Sequence, residues 1–376
     1  MRKLYLIHLS ILILLIGYYV YSTIDSDEGV TGSFKETCRA GTRLRSFKKD
    51  IDSTWDSRGI AKLFNSLNIE KTQGKPVDSI SIKTTSQEDF NSKYLHVNKP
   101  CIIRDIPTDW IAMKKWSVVN FLERFGKCKF RVTGNDNSLK YEYFHHYVND
   151  PRHRQDDEPL FIFDSTFADK GKKMRELLDE YEIPEWFRDD LFNCLDEDER
   201  PNFRWLLIST RRAGTSLHID PVATCAWNTM IQGKKRWILF PPDTFKSEDD
   251  FDAGIRGAEW FIKEYPKYKH LPHNDFIQNP GETIFLPSNW WHITVNLEDS
   301  IAITQNLLTH NNFKKAIEVC YDSLPKVYIK WIRLLNEQME TDPDLLVKMG
   351  GKIQDLRTVQ TIDYSSDAWE SESDVE

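Results

Sequence analysis

His218, Asp220 and His292 are the residues whose types and spacing point most directly to chemistry. In an extended chain residues i and i+2 project to one face, so on an expected strand His218 and Asp220 reach one ion while Ile219 points away. His292, where a strand is expected to begin within Trp290-Trp291-His292, closes the set from a different strand. Two imidazoles and one carboxylate on one face of an octahedral metal leave three positions open, the donor set of non-haem iron oxygenases. His-x-Asp alone is common in surface loops, and the second histidine on a downstream strand is what gives the pattern weight. A zinc hydrolase could use the same three donors, but neither an H-E-x-x-H helix nor an evident general base accompanies them. His145 and His146 are adjacent and cannot share a strand face, while His270 and His273 flank Leu271-Pro272 in an expected loop, so neither pair is assigned a metal.

An oxygenase of this kind that used 2-oxoglutarate would need a cation and a hydroxyl for the distal carboxylate of that co-substrate. Lys235 follows the Gln232-Gly233-Lys234 turn, and alternation places it beside Trp237 and Leu239, opposite Arg236 and Ile238. On the last expected strand Ala302, Thr304 and Asn306 share a small, polar face suited to a ligand pocket, and Ile301 and Ile303 face the other way as core. Thr304 is therefore the expected hydroxyl partner. Trp227 and Trp237 are read as packing aromatics.

The elements that must position these residues are short strands. Between Phe203 and Leu308 the segments Trp205–Ser209, Thr224–Ile231, Lys235–Phe240, Thr283–Leu286, Trp290–Leu297 and Ser300–Leu307 are bounded by Gly, Pro, Asn or Asp, the texture of a sandwich or barrel. Upstream, Cys101–Arg104 and Phe161–Phe163 read as strands, and Ser117–Phe125, Lys172–Tyr181 and Glu185–Cys194 as helices. After Asn311 the helical period returns twice.

The run GTSLHIDPVATCAWNTMIQGKKRWILFPP, followed by PGETIFLPSNWWHITVNLEDSIAITQN, resembles the Jumonji-C oxygenases, in particular their phosphatidylserine-receptor-type arginine demethylase and lysyl hydroxylase branch. The likeness extends through PLFIFDSTF, WFRDDLF and NFRWLLIST and covers residues 77–335. It implies a β-rich α+β fold, a cupin-like double-stranded β-helix (jelly roll) with flanking N-terminal and C-terminal helices. It also implies an enzyme that uses Fe(II), O2 and 2-oxoglutarate to hydroxylate a protein or peptide, releasing succinate and CO2. By position His218, Asp220 and His292 become the iron ligands, Thr215, Asn228, Lys235 and Thr304 line the co-substrate pocket, and Asn306 sits near it. Lysine hydroxylation is the preferred reading, N-methyl demethylation of arginine or lysine the alternative. A non-catalytic cupin-like binding protein ranks last, because every expected ligand is in place.

The whole chain of 376 residues, 40% hydrophobic and 29% charged with 16 Gly and 16 Pro, excludes collagen-like and wholly disordered classes. Its net charge of −8 argues against a large nucleic-acid footprint. Leu4 to Ser22 is apolar on every face, preceded by Arg2 and Lys3 and followed by Asp25, Asp27 and Glu28. This reads as a membrane signal anchor over residues 1–24, or alternatively a cleaved signal, with the catalytic region in the lumen of the secretory pathway, most simply the endoplasmic reticulum. Residues 25–76 read as a loosely packed preamble, 77–310 as the catalytic domain, 311–360 as C-terminal helices and 361–376 as an acidic disordered tail. Six cysteines without a C-x-x-C pair offer no zinc knuckle, and in an oxidising lumen one or two bridges could form.

Overall fold

The computed structural model describes residues 58–133, 138–151 and 153–348. Its strands are β1 (Asp78–Ser81), β2 (Cys101–Arg104), β3 (Lys129–Arg131), β4 (Ser138–Lys140), β5 (Phe161–Asp164), β6 (Arg204–Ser209), β7 (Cys225–Gln232), β8 (Lys235–Phe240), β9 (Asn274–Gln278), β10 (Thr283–Leu286), β11 (Trp291–Asn296) and β12 (Ser300–Leu307). A seven-stranded sheet runs β1-β2-β10-β7-β12-β6-β5, a three-stranded sheet runs β11-β8-β9, and β3 and β4 form a separate ribbon. All pairs are antiparallel except β1 with β2. The fold is a cupin-like jelly roll with flanking helices.

Both faces of both sheets are covered, which explains why the central strands read as nearly continuous apolar runs. Between the sheets, Ile102, Ala226, Ile284 and Leu286 pack on Trp237, Leu239 and Phe276. The outer face of the large sheet (Trp227, Ile208, Ile301, Ile303) lies under Phe121, Phe125, Tyr141 and Phe144 of two helices, Val118–Phe125 and Tyr141–Asn149. The first of these starts where the Ser117 hydroxyl accepts from the Asn120 amide (3.1 Å), and its i,i+4 pair Phe121/Phe125 faces the sheet. The outer face of the small sheet (Ile238, Phe240, Ile293, Val295) is covered by Phe64 and Trp260 from the helices Ile60–Ser66 and Gly257–Lys263. Helices Phe313–Ser323 and Pro325–Thr341 close one end on Phe192 and Leu308, Pro325 supplying the preset first turn of the second.

Several expectations need correction. The preamble is not loose over its last part: Ile60, Ala61 and Phe64 are buried, and the Asp157 carboxylate accepts from the amides of Arg58 (2.6 Å) and Ile60 (2.7 Å). Lys172–Tyr181 is only a one-turn helix, Lys172–Arg175, running into a 3-10 segment, Glu176–Glu180. Here the buried Glu180 carboxylate takes hydrogen bonds from Trp116 Nε1 (2.7 Å) and Arg124 (3.0 and 2.8 Å), so tertiary partners set the local path. Glu185–Cys194 keeps a 3-10 turn, Glu185–Phe187, because Trp186 and Phe187 are both buried and Asp190 is drawn to the Leu308 amide (2.9 Å) and Arg200 (2.6 Å). Strand β9 has no counterpart among the expected strands, because its Asp275 and Gln278 look solvent-seeking, yet both are buried and paired, with Arg236 and Trp237. The five described cysteines, Cys101, Cys128, Cys194, Cys225 and Cys320, are free thiols. Residues 1–24 and 361–376 lie outside the described residues, and among those described no helix is long and apolar enough to cross a membrane.

The pair Arg236–Asp275 joins β8 to β9 through two hydrogen bonds of 2.8 and 2.6 Å, both side chains buried. Asp275 also accepts from the amides of Gln73 (2.6 Å) and Gly74 (3.3 Å), and Arg236 donates to the Ile69 carbonyl (2.6 Å), so the pair ties residues 69–75 to the small sheet. Asp275→Ala leaves a buried guanidinium without its counter-charge and is expected to destabilise the fold by about 3–5 kcal/mol. Urea unfolding checks this, and an unchanged midpoint would show that the pair is not a keystone of β8 and β9.

Candidate functional site

The site is built across the gap between the two sheets. On the large sheet Thr304 is in register with Trp205 on one side and Asn228 on the other, so the three form a row on the inner face. On the small sheet Lys235 and Trp237 of β8 and His292 and Thr294 of β11 face inward by the two-residue period. A cavity of about 280 Å³ between these walls is lined by all eight residues singled out in the sequence: Thr215, His218, Asp220, Asn228, Lys235, His292, Thr304 and Asn306.

His218 and Asp220 stand not on a regular strand, as expected, but on an extended segment held by isolated bridges, Ser216 to Arg256 and His218 to His292. The amide of His218 donates to the His292 carbonyl (3.1 Å), and the amide of His292 returns the bond to His218 (2.8 Å). Extended backbone is enough for the i,i+2 rule, and Ile219 points outward at 36% exposure. Gly214 lets this segment approach β11, since a Cβ there would lie 1.9 Å from the Thr294 carbonyl oxygen. After Pro221 the chain turns through Val222 and Ala223 at φ 56° and 50°, a conformation rare for a β-branched residue. Hydrogen bonds from Ser288 Oγ (2.6 Å) and Asn312 Nδ2 to the Ala223 carbonyl hold that turn.

The ligand atoms of His218, Asp220 and His292 all lie within 4.8 Å of one another, with His292 Nε2 3.9 Å from Asp220 Oδ1. His218 Nδ1 faces the Ser216 carbonyl at 2.8 Å and His292 Nδ1 the Trp290 carbonyl at 3.0 Å. A carbonyl only accepts, so each Nδ1 carries the proton and each Nε2 lone pair is left for a metal. Burial, reinforced by His218, holds the His292 imidazole well below its usual range. Burial also pushes the Asp220 carboxyl up, against the pull of His218 and of a hydrogen bond from Asn306. Asp220 Oδ2 is buried without a hydrogen-bond partner. An orphaned carboxylate oxygen facing two imidazole lone pairs is a donor set that a divalent cation satisfies.

Lys235, 2% exposed, is the second unpaired group. Among the described residues no carboxylate pairs with its ammonium, which lies 5.5 Å from the Trp237 ring centroid. Burial pushes it down to about 8. Asn228 Oδ1, on the facing sheet, is likewise buried without a partner. Thr304 Oγ1 donates to the Trp227 carbonyl (2.8 Å), and Thr215 and Thr294 pair their hydroxyls at 3.3 Å. Asn306 lines the cavity, and its amide donates to Thr224 Oγ1 (2.8 Å).

Sequence reasoning missed Thr294, although alternation from His292 would have placed it inside. It read Trp237 as packing only, whereas this ring forms part of the cavity wall. Phe163 and Trp205, stacked at 6.0 Å between centroids and 23° between planes, form another part and went unassigned.

Residues 87–313 match the family model described as a cupin-like domain. The chain belongs to the cupin-like Jumonji-C family. It is 32% identical over 308 residues, 78% of this chain and 74% of the relative, to the bifunctional arginine demethylase and lysyl-hydroxylase psr-1 of Caenorhabditis elegans. It is 36% identical over 246 residues, 63% of this chain and 47% of the relative, to the arginine-specific demethylase JMJ22 of Arabidopsis thaliana. A 2-oxoglutarate and iron-dependent oxygenase of Gallus gallus, JMJD4, is 26% identical over 269 residues, 64% of this chain and 61% of the relative. This cupin-like protein is therefore a 2-oxoglutarate- and iron-dependent oxygenase. The expected single-pass membrane placement with a lumenal catalytic region is corrected. The long match is to an arginine demethylase and lysyl-hydroxylase, no helix among the described residues can span a bilayer, and residues 4–22 lie outside them.

As pH rises through about 8, the free cupin-like enzyme loses the ammonium that a carboxylate would pair with. Apparent affinity for 2-oxoglutarate is expected to fall about tenfold per pH unit above that point. Calorimetric titration from neutral to alkaline pH checks this, with Lys235→Ala weak throughout and lacking the alkaline limb. A flat wild-type profile would mean that another group receives the carboxylate.

Proposed function

We propose that this oxygenase hydroxylates a lysine side chain of a protein substrate, with His218, Asp220 and His292 holding Fe(II). Lys235, Thr304, Thr215 and Asn228 receive 2-oxoglutarate. The observation that carries the reading is the convergence of three orphaned or proton-free donors and one unpaired buried ammonium on a single cavity. When bound, ferrous iron with 2-oxoglutarate supplies the activation of O2, one oxygen atom entering a substrate C–H bond and the other entering succinate as CO2 leaves.

The chain's own residues perform the positioning. The Ser216 and Trp290 carbonyls fix the two imidazole tautomers. Lys235 neutralises the co-substrate's distal carboxylate at a position 2% exposed, where a charge-assisted pair outweighs a neutral hydrogen bond. The net charge of −8 favours basic segments as substrates. N-methyl demethylation is the second reading, supported by the name of the relative that is 36% identical. The same oxidation at an N-methyl carbon gives a hemiaminal that releases formaldehyde.

Asp220→Ala is expected to weaken Fe(II) binding at least about 100-fold and to abolish succinate formation. Anaerobic metal titration and a succinate assay test this, and wild-type turnover by a folded, iron-depleted variant would end the oxygenase assignment of these residues. Incubating the full chain with lysine-rich and with methylarginine peptides separates the two readings by mass. Gain of one oxygen on lysine is the expected result, and formaldehyde without hydroxylated lysine would replace it by the demethylase reading.

A further inference from the structure

A second polar cavity, of about 210 Å³, lies apart from the iron site, with Arg154, Arg211, Arg212, Asn65, Thr210 and Asp299 in its wall. Arg212 is 5% exposed and its backbone is held at φ 78°. Its Nη2 donates to the Asp156 carbonyl (3.0 Å), while its Nε is buried with no partner. Among the described residues no carboxylate lies within ion-pairing distance of it. The nearby acids serve other groups. Asp156 accepts from Tyr147 Oη (2.7 Å) and the Glu158 amide (3.0 Å), and Asp157 from the amides of Arg58 and Ile60.

Arg211 lies over the Phe64 ring at 4.8 Å and donates through Nε to the Leu297 carbonyl (3.0 Å) and through Nη1 to Asn65, which leaves Nη2 open. Arg154, exposed, makes no side-chain hydrogen bond or ion pair among the described residues. Asp299 is the acid in the wall, and its Oδ1 takes the Arg211 amide (2.8 Å). Three arginines thus line one cavity with Asp299 as the carboxylate in its wall, and although Asp156 and Asp157 attract Arg212 from its other side, neither pairs with it and its Nε stays without a partner. A buried, unpaired guanidinium costs several kcal/mol unless an anion compensates it.

We propose that this cavity is a binding site for a phosphate-type oxyanion, held by Arg212 from within and by Arg211 and Arg154 at its mouth. Guanidinium forks match the oxygens of a tetrahedral dianion two at a time, which a monoanionic carboxylate could not share among three arginines. The site sits at the start of the segment that continues through Gly214 to His218, but it does not depend on the substrate assigned to the iron centre.

The test is calorimetric titration of the full chain with inorganic phosphate, against chloride at equal ionic strength. Saturable one-to-one binding is expected. Arg154→Gln, at an exposed position, should weaken it about tenfold, and Arg212→Met should abolish it, with circular dichroism reporting the fold of each. Should Arg212→Met fail to fold, the Arg154→Gln comparison still decides. A parallel titration with methyl phosphate distinguishes the source: displacement of inorganic phosphate assigns a monoester, and binding of inorganic phosphate alone assigns the free ion, both upholding the site. Binding should persist in Lys235→Ala, since its loss there would transfer the anion to the co-substrate cavity and overturn the proposal. Absence of saturable binding, or wild-type affinity in Arg154→Gln, would overturn it equally.

Discussion

Two backbone hydrogen bonds, exchanged between His218 and His292, set the geometry on which the active site depends. They join a segment that belongs to no regular strand to the edge strand β11 of the small sheet, bringing the rings to 4.1 Å between centroids. Because backbone rather than side-chain bonds make the connection, both imidazoles keep their Nε2 atoms free. The cost of this closure is borne nearby, in the missing Cβ of Gly214 and the left-handed turn at Val222 and Ala223.

The cavity behind this bridge concentrates groups that a stable apolar core would not retain. Asp220 Oδ2 and Asn228 Oδ1 are buried without partners, and the Lys235 ammonium is buried without a counter-charge. Each costs free energy in the ligand-free protein, and under the proposed function each has its partner in iron or a dicarboxylate. Stability given up at the site is offset by three apolar layers, one between the sheets and one outside each. The orphaned Nε of Arg212 follows the same logic at a place where iron and 2-oxoglutarate do not reach.

Much of the site was legible before any fold was known. Period-two alternation placed Lys235 with Trp237, and Thr304 with Asn306, because a strand fixes side-chain direction wherever it pairs. Local rules failed where distant partners prevailed: Glu180 and Asp190 redirect two expected helices, and Arg236 makes a strand of the polar segment around Asp275. Propensity is worth tenths of a kcal/mol per residue, less than one buried charge-assisted bond.

The sequence by itself determined the donor types, the His-x-Asp spacing, the inward faces of β8 and β12 and, through its motifs, the family. The tertiary structure alone decided that His292 meets His218 through the backbone, that Asn306 pairs with Thr224, and that Phe163, Trp205 and Thr294 complete the cavity wall. It also decided that Arg154, far along the chain from Arg211 and Arg212, shares a cavity with them. The physical reason is that alternation is a property of one strand. Which faces meet, and which buried groups are left without partners, depends on the register and separation of two sheets, set by packing between residues tens to hundreds of positions apart.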